Sequence, residues 1–260
     1  MKVSPFIVSS LLTYGATPSP VPKPPSRPDD LAKKPTLSTT PILSPPSRAL
    51  SEVSTEFRVN TYTSGDQRYP SITSLADGGF VVAWQDGEWN QDGQDGSGTG
   101  VYAQRYGATG EKAGGEFRVN TYTEGSQYSP SITSLADGGF VVAWRSWDQD
   151  GSDGGVYAQR YGATGEKAGG EFRVNTYTEG DQYCPSITSL ADGGFIATWS
   201  SNGQDGSRYG VYTQRYGATG EKAGGEFRVN MYTEGNQWLP SITSLAAGGF
   251  VVAWRSDGQD

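Results

Sequence analysis

Histidine is absent from this 260-residue chain, and cysteine occurs once, at Cys184. Without histidine there can be no Ser–His–Asp triad, no Cys–His pair and no His-based metal site. A single cysteine excludes an internal disulfide and a thiolate zinc site. The phosphate-binding pattern G-x-x-x-x-G-K-[ST] is missing as well. A pair of carboxylates is the remaining route to catalysis, and no pair stands out, so the composition predicts a protein that is not an enzyme.

Long apolar runs are also missing, and the charge is uneven. No stretch reaches the length of a transmembrane helix, and the apolar start, residues 3–12, is broken by Pro5 and serines, which makes it a weak signal peptide. Residues 1–55 carry six basic and three acidic side chains, a net charge of +3. The net charge of the whole chain is −8, so residues 56–260 carry −11. An acidic surface repels phosphate backbones, so we expect no nucleic-acid partner.

Proline is concentrated near the start of the chain. Ten prolines lie between residues 18 and 46, among Ser, Thr and Lys. Such a segment cannot bury a core, so the sequence predicts that residues 1–55 are a disordered, Pro-rich linker with a weakly signal-like start.

A repeated phrase occupies the rest of the chain. Glu-Phe-Arg-Val-Asn begins at Glu56, Glu116, Glu171 and Glu226, at spacings of 60, 55 and 55 residues. Periods of this length are typical of solenoids, propellers and bead-like arrays. The difference of five residues falls between Trp84 and Val101, which indicates a solvent-exposed loop. Residues 56–260 are therefore predicted to be a tandem β-repeat domain whose last repeat is incomplete.

Each repeat contains the pattern of four strands. In the first repeat these are residues 70–76, 80–84, 101–106 and 116–122, with Asp77-Gly78-Gly79 as a hairpin turn. The second strand is apolar on both faces, so a single unit cannot hide it from water. The fold predicted is all-β, a propeller-like array of about four four-stranded antiparallel repeats. Either the two chain ends join into one blade that lacks its third strand, or the chain is part of a longer array.

The loop after the second strand is rich in acidic residues and glycine. Alternating carboxylates with glycines can surround Ca²⁺, which takes six to eight oxygen ligands, although the spacing differs from an EF-hand. Asp, Asn and Gly are also ordinary turn residues, so a purely structural loop is the alternative. The candidate metal ligands are Asp92, Asp95, Asp150, Asp153, Asn202, Asp205, Asp257 and Asp260.

Aromatic residues form a second candidate site. Trp84, Trp144 and Trp199 end second strands, where they could stack on sugars at the rim of a propeller or pack between blades. Trp89 and Trp147 lie inside the variable loops, where the repeat pattern does not require a tryptophan. These two are the stronger candidates for ligand binding.

Three phrases resemble repeats of large bacterial surface and secreted proteins of the haemolysin-type, RTX-like calcium-binding class. They are residues 74–84, 92–97 and 101–106. The sequence departs from that class because it has no G-G-x-G-x-D nonapeptide. The resemblance implies a secreted or cell-surface, non-enzymatic module for adhesion, with Ca²⁺ as a cofactor and surface glycans or proteins as partners. The alternatives are a multivalent carbohydrate-binding lectin and a fragment of a larger repeat protein with no activity of its own.

Overall fold

The computed structural model describes residues 6–12, as backbone, together with residues 56–87 and 93–259. Residues 1–14 and 59–260 form one compact unit, and residues 15–58 form another, of which only 56–58 are described. Most of the predicted Pro-rich linker therefore lies outside the described residues. Within the described part of the chain, no helix is long and apolar enough to cross a membrane.

Within the described residues, fifteen strands build four antiparallel sheets, which confirms the predicted fold class. We call the sheets blades 1 to 4. The strands are β1 (Phe6–Leu12), β2 (Gln67–Ser74), β3 (Phe80–Asp86), β4 (Gly100–Tyr106), β5 (Phe117–Arg118), β6 (Gln127–Ser134), β7 (Phe140–Trp147), β8 (Gly154–Tyr161), β9 (Phe172–Arg173), β10 (Gln182–Ser189), β11 (Phe195–Asn202), β12 (Tyr209–Tyr216), β13 (Phe227–Arg228), β14 (Gln237–Ser244) and β15 (Phe250–Ser256).

Blades 1 to 3 each contain four consecutive strands, β2–β5, β6–β9 and β10–β13. Blade 4 is built differently, because β1 pairs with β15 and gives the order β1-β15-β14. The sequence predicted a blade without a third strand and a disordered segment over residues 1–55, so the pairing of residues 6–12 with the last strand was not predicted. Residues 56–60 repeat the phrase that opens the predicted fourth strand, but they adopt no strand.

The second strand of each blade is buried on both faces, as its apolar pattern predicts. In β7, Phe140, Val141, Val142 and Ala143 are fully buried. Val142 and Phe140 pack with blade 1, and Val141 and Ala143 pack with blade 3. Blades therefore stack face to face, and burial of these side chains supplies most of the driving force for the fold.

The first strands of consecutive blades lie side by side along the centre of the array. They are joined by side-chain hydroxyls in place of a backbone ladder. The Ile132 amide donates to Ser71 Oγ at 3.2 Å, and the Ser134 amide donates to Thr73 Oγ1 at 3.1 Å. The same bond recurs from Ile187 to Ser131. These bonds set the spacing of the blades near the centre.

The fourth strand is shorter than predicted, because an asparagine takes over the next hydrogen bond. Asn120 Oδ1 accepts from the Val101 amide at 2.8 Å, and its Nδ2 donates to Gln127 Oε1 at 2.9 Å. Gln127 opens the first strand of the next blade, so this pair directs the chain from the edge of one blade to the centre of the next. Asn175 and Gln182 repeat the arrangement.

Gly139 in the hairpin turn of blade 2 is required by a close approach of the backbone. A Cβ at this position would lie 2.2 Å from the carbonyl oxygen of Tyr161. We expect Gly139→Ala to lower the free energy of unfolding by about 1–3 kcal/mol through overpacking. Denaturant unfolding measures the change. Gly170→Ala is the matched control, since no atom lies within 4 Å of its added Cβ, and an equal loss in both variants would contradict the explanation.

Candidate functional site

The two ends of the blades differ in how much the repeats vary. At one end, the hairpin Gly-Ala-Thr-Gly-Glu-Lys-Ala-Gly-Gly is identical at residues 107–115, 162–170 and 217–225. At the other end, first strands begin and second strands end, and here the repeats differ. We call this end the variable rim. Because near-identical repeats diverge there, it is the part of the molecule in which the blades have distinct chemistry.

A bulge in each first strand places a different side chain at the variable rim. Tyr69, Ser129, Cys184 and Leu239 occupy equivalent positions, each with φ between 51° and 55°. Each lies at a break in register between the first and second strands. A left-handed backbone at a residue other than glycine is strained, and such positions gather at functional sites.

Arg145 is the centre of the side-chain cluster between blades 2 and 3. It ends the second strand of blade 2, where the other blades carry Gln85, Ser200 and Arg255. Its Nη2 lies 2.6 Å from Asp181 Oδ1, and the Arg145 side chain is only 9% exposed. The guanidinium carbon lies 4.9 Å from the ring centres of both Tyr128 and Trp147. An ion pair enclosed by aromatic rings is thus built into the rim.

Further rings continue from Arg145 towards blade 4. The Tyr183 ring centre lies 5.9 Å from the Arg145 guanidinium and 5.0 Å from the Tyr209 ring centre. Tyr209 in turn stacks on Trp238 at 6.1 Å. The rim therefore carries a row of aromatic side chains that spans blades 2, 3 and 4.

Gly154 makes room for the ion pair. A Cβ on Gly154 would lie 2.4 Å from Arg145 Nε and 2.5 Å from Asp181 Oδ1. The equivalent residues of blades 1 and 3 are Thr99 and Tyr209, and neither blade has an arginine at the position of Arg145. The small residue and the arginine thus occur together in blade 2.

A second carboxylate, Asp153, acts on this cluster through its charge. Burial raises the pKa of Asp181, Arg145 opposes that shift, and the nearby charge of Asp153 adds to it. Asp181 is half-buried, whereas Asp153 is exposed. A half-buried acid whose pKa is raised is suited to donate a proton, and an exposed carboxylate is suited to act as a base. Arg145 and Asp181 were not predicted from the sequence, although both positions vary between the repeats.

Three of the candidate metal ligands have hydrogen-bond and arginine partners within the fold. Asp95, Asp150 and Asp205 each accept a backbone amide two residues on, from Ser97, Ser152 and Ser207. Their other oxygens lie 3.8–3.9 Å from arginines of the fourth strands, Arg118, Arg173 and Arg228. Among the described residues, no group of three or more acidic or sulfur ligands could hold a metal ion. These three aspartates therefore have a structural partner in the fold.

The remaining candidates lie apart. Asp257 Oδ2 accepts from Asn236 Nδ2 at 3.0 Å, and the Asn202 amide donates to the Asp181 carbonyl at 2.9 Å. Asp92 and Asp260 lie outside the described residues. Calcium binding by the loops stays a prediction.

The tryptophan candidates separate into two groups. Trp84, Trp144 and Trp199 are 4%, 0% and 0% exposed, so a ligand cannot reach them. Trp144 and Trp199 belong to the cores between blades, and Trp84 belongs to a cluster of blade 1 with Val59. Trp147 lies in the Arg145 cluster. Trp89 lies outside the described residues.

No protein-family model matches the chain, and no curated protein is significantly similar to it in sequence. Solved structures with a similar arrangement include a protein of unknown function from Dyadobacter fermentans, at 13% identity over 74% of this chain and 63% of that one, with a TM-score of 0.48. An endo-arabinase from Bacteroides thetaiotaomicron matches at 14% identity over 78% and 76%, with a TM-score of 0.47. A GH43 endo-arabinanase from Bacillus licheniformis matches at 15% over 74% and 75%, with a TM-score of 0.43.

These findings correct three expectations from the sequence. The resemblance to haemolysin-type, RTX-like repeats is wrong, because the neighbours found include arabinanases with a propeller-like arrangement of sheets. The expectations of a non-enzymatic adhesion module and of a chain that is not an enzyme are contradicted by the same neighbours, which are enzymes by their descriptions. Near-identical repeats had made every carboxylate pair look equivalent, whereas the fold distinguishes Asp181 by its 2.6 Å contact with Arg145.

We expect Gly154→Ala to destabilise the protein by about 1–3 kcal/mol, because the new methyl group displaces the ion pair. Denaturant unfolding is measured for this variant, for Arg145→Met and for the double variant. The cost of Gly154→Ala should fall in the Arg145→Met background, since the nearest clashing atom is gone. Additive costs would show that the glycine serves another purpose.

Cys184 provides a chemical probe of the cluster. Burial raises the pKa of its thiol to about 11, although the Arg145 charge acts in the opposite direction. At pH 8 the thiolate fraction is then about a hundredfold below that of a thiol with a pKa near 9, so alkylation should slow by a similar factor. Iodoacetamide labelling followed by mass spectrometry measures the rate, with the urea-unfolded protein as control. Equal rates in both states would refute the buried position.

Proposed function

We propose that the Arg145 cluster binds a carbohydrate chain and cleaves a glycosidic bond. One observation carries the proposal: Asp181 is a half-buried carboxyl group held by Arg145 at a rim lined by aromatic rings, and burial together with the nearby charge of Asp153 raises its pKa. Glycoside hydrolysis needs one carboxyl group that donates a proton and a second that acts as base or nucleophile, and the raised pKa of Asp181 suits the first role.

The two carboxyl groups have distinct roles in this proposal. Asp181 donates its proton to the oxygen of the glycosidic bond as the leaving sugar departs. The exposed side chain of Asp153 acts on the opposite side of the reacting sugar, as the base that activates water or as the nucleophile. Arg145 holds Asp181 in place through the 2.6 Å contact. The guanidinium also compensates the charge that Asp181 acquires after it has lost the proton.

The aromatic row supplies the binding surface. Trp147 is half-buried, so one part of its ring is fixed against Arg145 while another part reaches solvent. Tyr209 and Trp238 extend the surface towards blade 4. Aromatic rings combine a large apolar face with a polar edge, which suits a sugar ring with its apolar C–H face and hydroxyl rim. The length of the row favours a chain of several sugars over a monosaccharide.

The test is release of reducing ends from polysaccharides, beginning with arabinan because the neighbours are described as arabinanases. We expect Asp181→Asn and Asp153→Asn each to lower kcat by about a hundredfold or more, the usual contribution of a general acid or base. Trp147→Ala should mainly raise KM, because it removes binding surface.

Asp192→Asn is the matched control. Asp192 is also an aspartate paired with an arginine, Arg215, but it lies in the hairpin at the opposite end of blade 3 and is 52% exposed. It should leave activity unchanged, and melting temperatures verify that all variants fold. Equal activity in Asp181→Asn and the native protein would exclude the assigned acid. If the protein neither cleaves nor binds any of the polysaccharides tested, the proposal is wrong.

The pH profile gives an independent check. Asp181 must be protonated to act as the acid, so kcat/KM should fall as pH rises through its raised pKa. Removing the Arg145 charge in Arg145→Met should move the upper limb to higher pH, because the positive charge lowers the pKa of Asp181. If the upper limb of the profile does not move, it reports the titration of a group other than Asp181.

A further inference from the structure

A polar cavity lies at the outer edge of blade 3, next to the start of β13. Its volume is about 530 Å³, which falls within the range of roughly 300–1,000 Å³ that small-molecule sites occupy. Its lining is separate from the Arg145 cluster. The lining residues come from the segment that follows β9 of blade 2 and from blade 3, and they include Thr176, Tyr177, Gln204, Gln214, Lys222 and Glu226.

Hydrogen bonds hold the lining of this cavity in place. Glu226 accepts from the Thr176 amide at 2.6 Å and from Gln204 Nε2. Lys222 Nζ donates to Thr176 Oγ1 at 3.0 Å. Lys222 and Glu226 carry opposite charges, so the lining has no net charge. A preorganised and neutral polar site suits an uncharged ligand that is rich in hydrogen-bonding groups.

Two glutamine oxygens of the cavity lack a hydrogen-bond donor. Gln214 has no exposed surface, and its Nε2 donates to the Gly224 carbonyl oxygen at 3.0 Å, which fixes the orientation of the amide. No described residue donates to Gln214 Oε1 or to the buried Oε1 of Gln204. A buried acceptor without a donor costs free energy, so a ligand that supplies hydroxyl groups would be stabilised here.

Gly225 leaves the backbone bare where it lines this cavity. Its φ lies outside the left-handed region, and no atom lies within 4 Å of an added Cβ. Neither the backbone conformation nor close packing therefore requires a glycine at this position. Glycine also allows a ligand to approach the backbone closely, and this role accounts for Gly225 where the fold does not.

The same arrangement recurs at the outer edge of blade 2. The Thr121 amide and Gln149 Nε2 both donate to Glu171, and Lys167 Nζ donates to Thr121 Oγ1 at 3.0 Å. Gln159 is fully buried, and neither its Oε1 nor that of Gln149 has a donor in the described part of the chain. We call this site and the cavity of blade 3 the junction pockets.

We propose that each junction pocket binds one neutral sugar residue of a polysaccharide. In blade 3, hydroxyl groups of the sugar donate to the oxygens of Gln204 and Gln214, and the half-buried ring of Tyr177 packs on its C–H face. Glu226 is the one acidic residue of the lining. Glycosidic cleavage needs two carboxyl groups, so the pocket holds the chain without cleaving it. The proposal rests on the proposed function only in the choice of arabinan as the first polysaccharide.

Affinity electrophoresis through gels that contain arabinan, xylan or starch measures binding without relying on cleavage. All proteins carry Asp181→Asn, which lies outside the junction pockets and removes the acid assigned to cleavage. Adding both Gly170→Ala and Gly225→Ala should weaken binding by about tenfold or more, because the new methyl groups fill the space of the sugar.

Gly115→Ala is the matched control. Gly115 is the equivalent glycine of blade 1, and its added Cβ also meets no atom within 4 Å. Gln94, at the position of Gln204, is exposed, and Glu116 Oε1 has no donor among the described residues. This edge of blade 1 therefore lacks the glutamine contact of the junction pockets, and Gly115→Ala should leave binding unchanged. Melting temperatures verify that every variant folds.

Trp147→Ala in the same background separates the junction pockets from the Arg145 cluster. Binding that persists in Trp147→Ala and is weakened in the double glycine variant supports the pockets, even if the native protein cleaves no polysaccharide. The junction pockets are refuted if the double glycine variant binds as tightly as Asp181→Asn alone, if Trp147→Ala abolishes binding, or if Asp181→Asn binds none of the three polysaccharides. Release of reducing ends by the native protein still tests the cleavage proposal by itself.

Discussion

Face-to-face packing of blades whose second strand is apolar on both sides is the constraint on which the structure depends. Val141, Val142 and Ala143 have no exposed surface, and they achieve this by contacting blades on either side. A blade alone would expose half of these side chains, so stability comes from neighbours. On blade 1, Val82 and Trp84 are 7% and 4% exposed and pack with Val59, which precedes the blade in the sequence.

Polar groups set the geometry that apolar packing alone leaves open. The pair Asn120 and Gln127 directs the chain from blade to blade, and serine and threonine hydroxyls join the first strands. These residues are the same in every repeat. At the rim, Trp147 has no tryptophan equivalent in the other blades, and an arginine at the position of Arg145 is followed by an aspartate at the position of Asp181 in blades 2 and 3 alone among consecutive blades. Identity of the residues that join the blades thus marks architecture, and divergence at the rim marks the proposed cleavage site.

Cleavage of a glycosidic bond, as proposed for the variable rim, depends on the environments of Asp181 and Asp153 and on the aromatic row.

The sequence by itself determined the repeats, the order of strands within a blade and the burial of the second strand, because period, turn residues and apolar pattern are local properties. It also located the variable loops. Only the tertiary structure decided that Phe6–Leu12 completes blade 4, since this pairing joins residues more than two hundred positions apart. Likewise, Asp181 gains its distinct chemistry from Arg145 of the preceding blade. Carboxylates that look equivalent in near-identical repeats differ once burial and neighbouring charges are fixed by the fold.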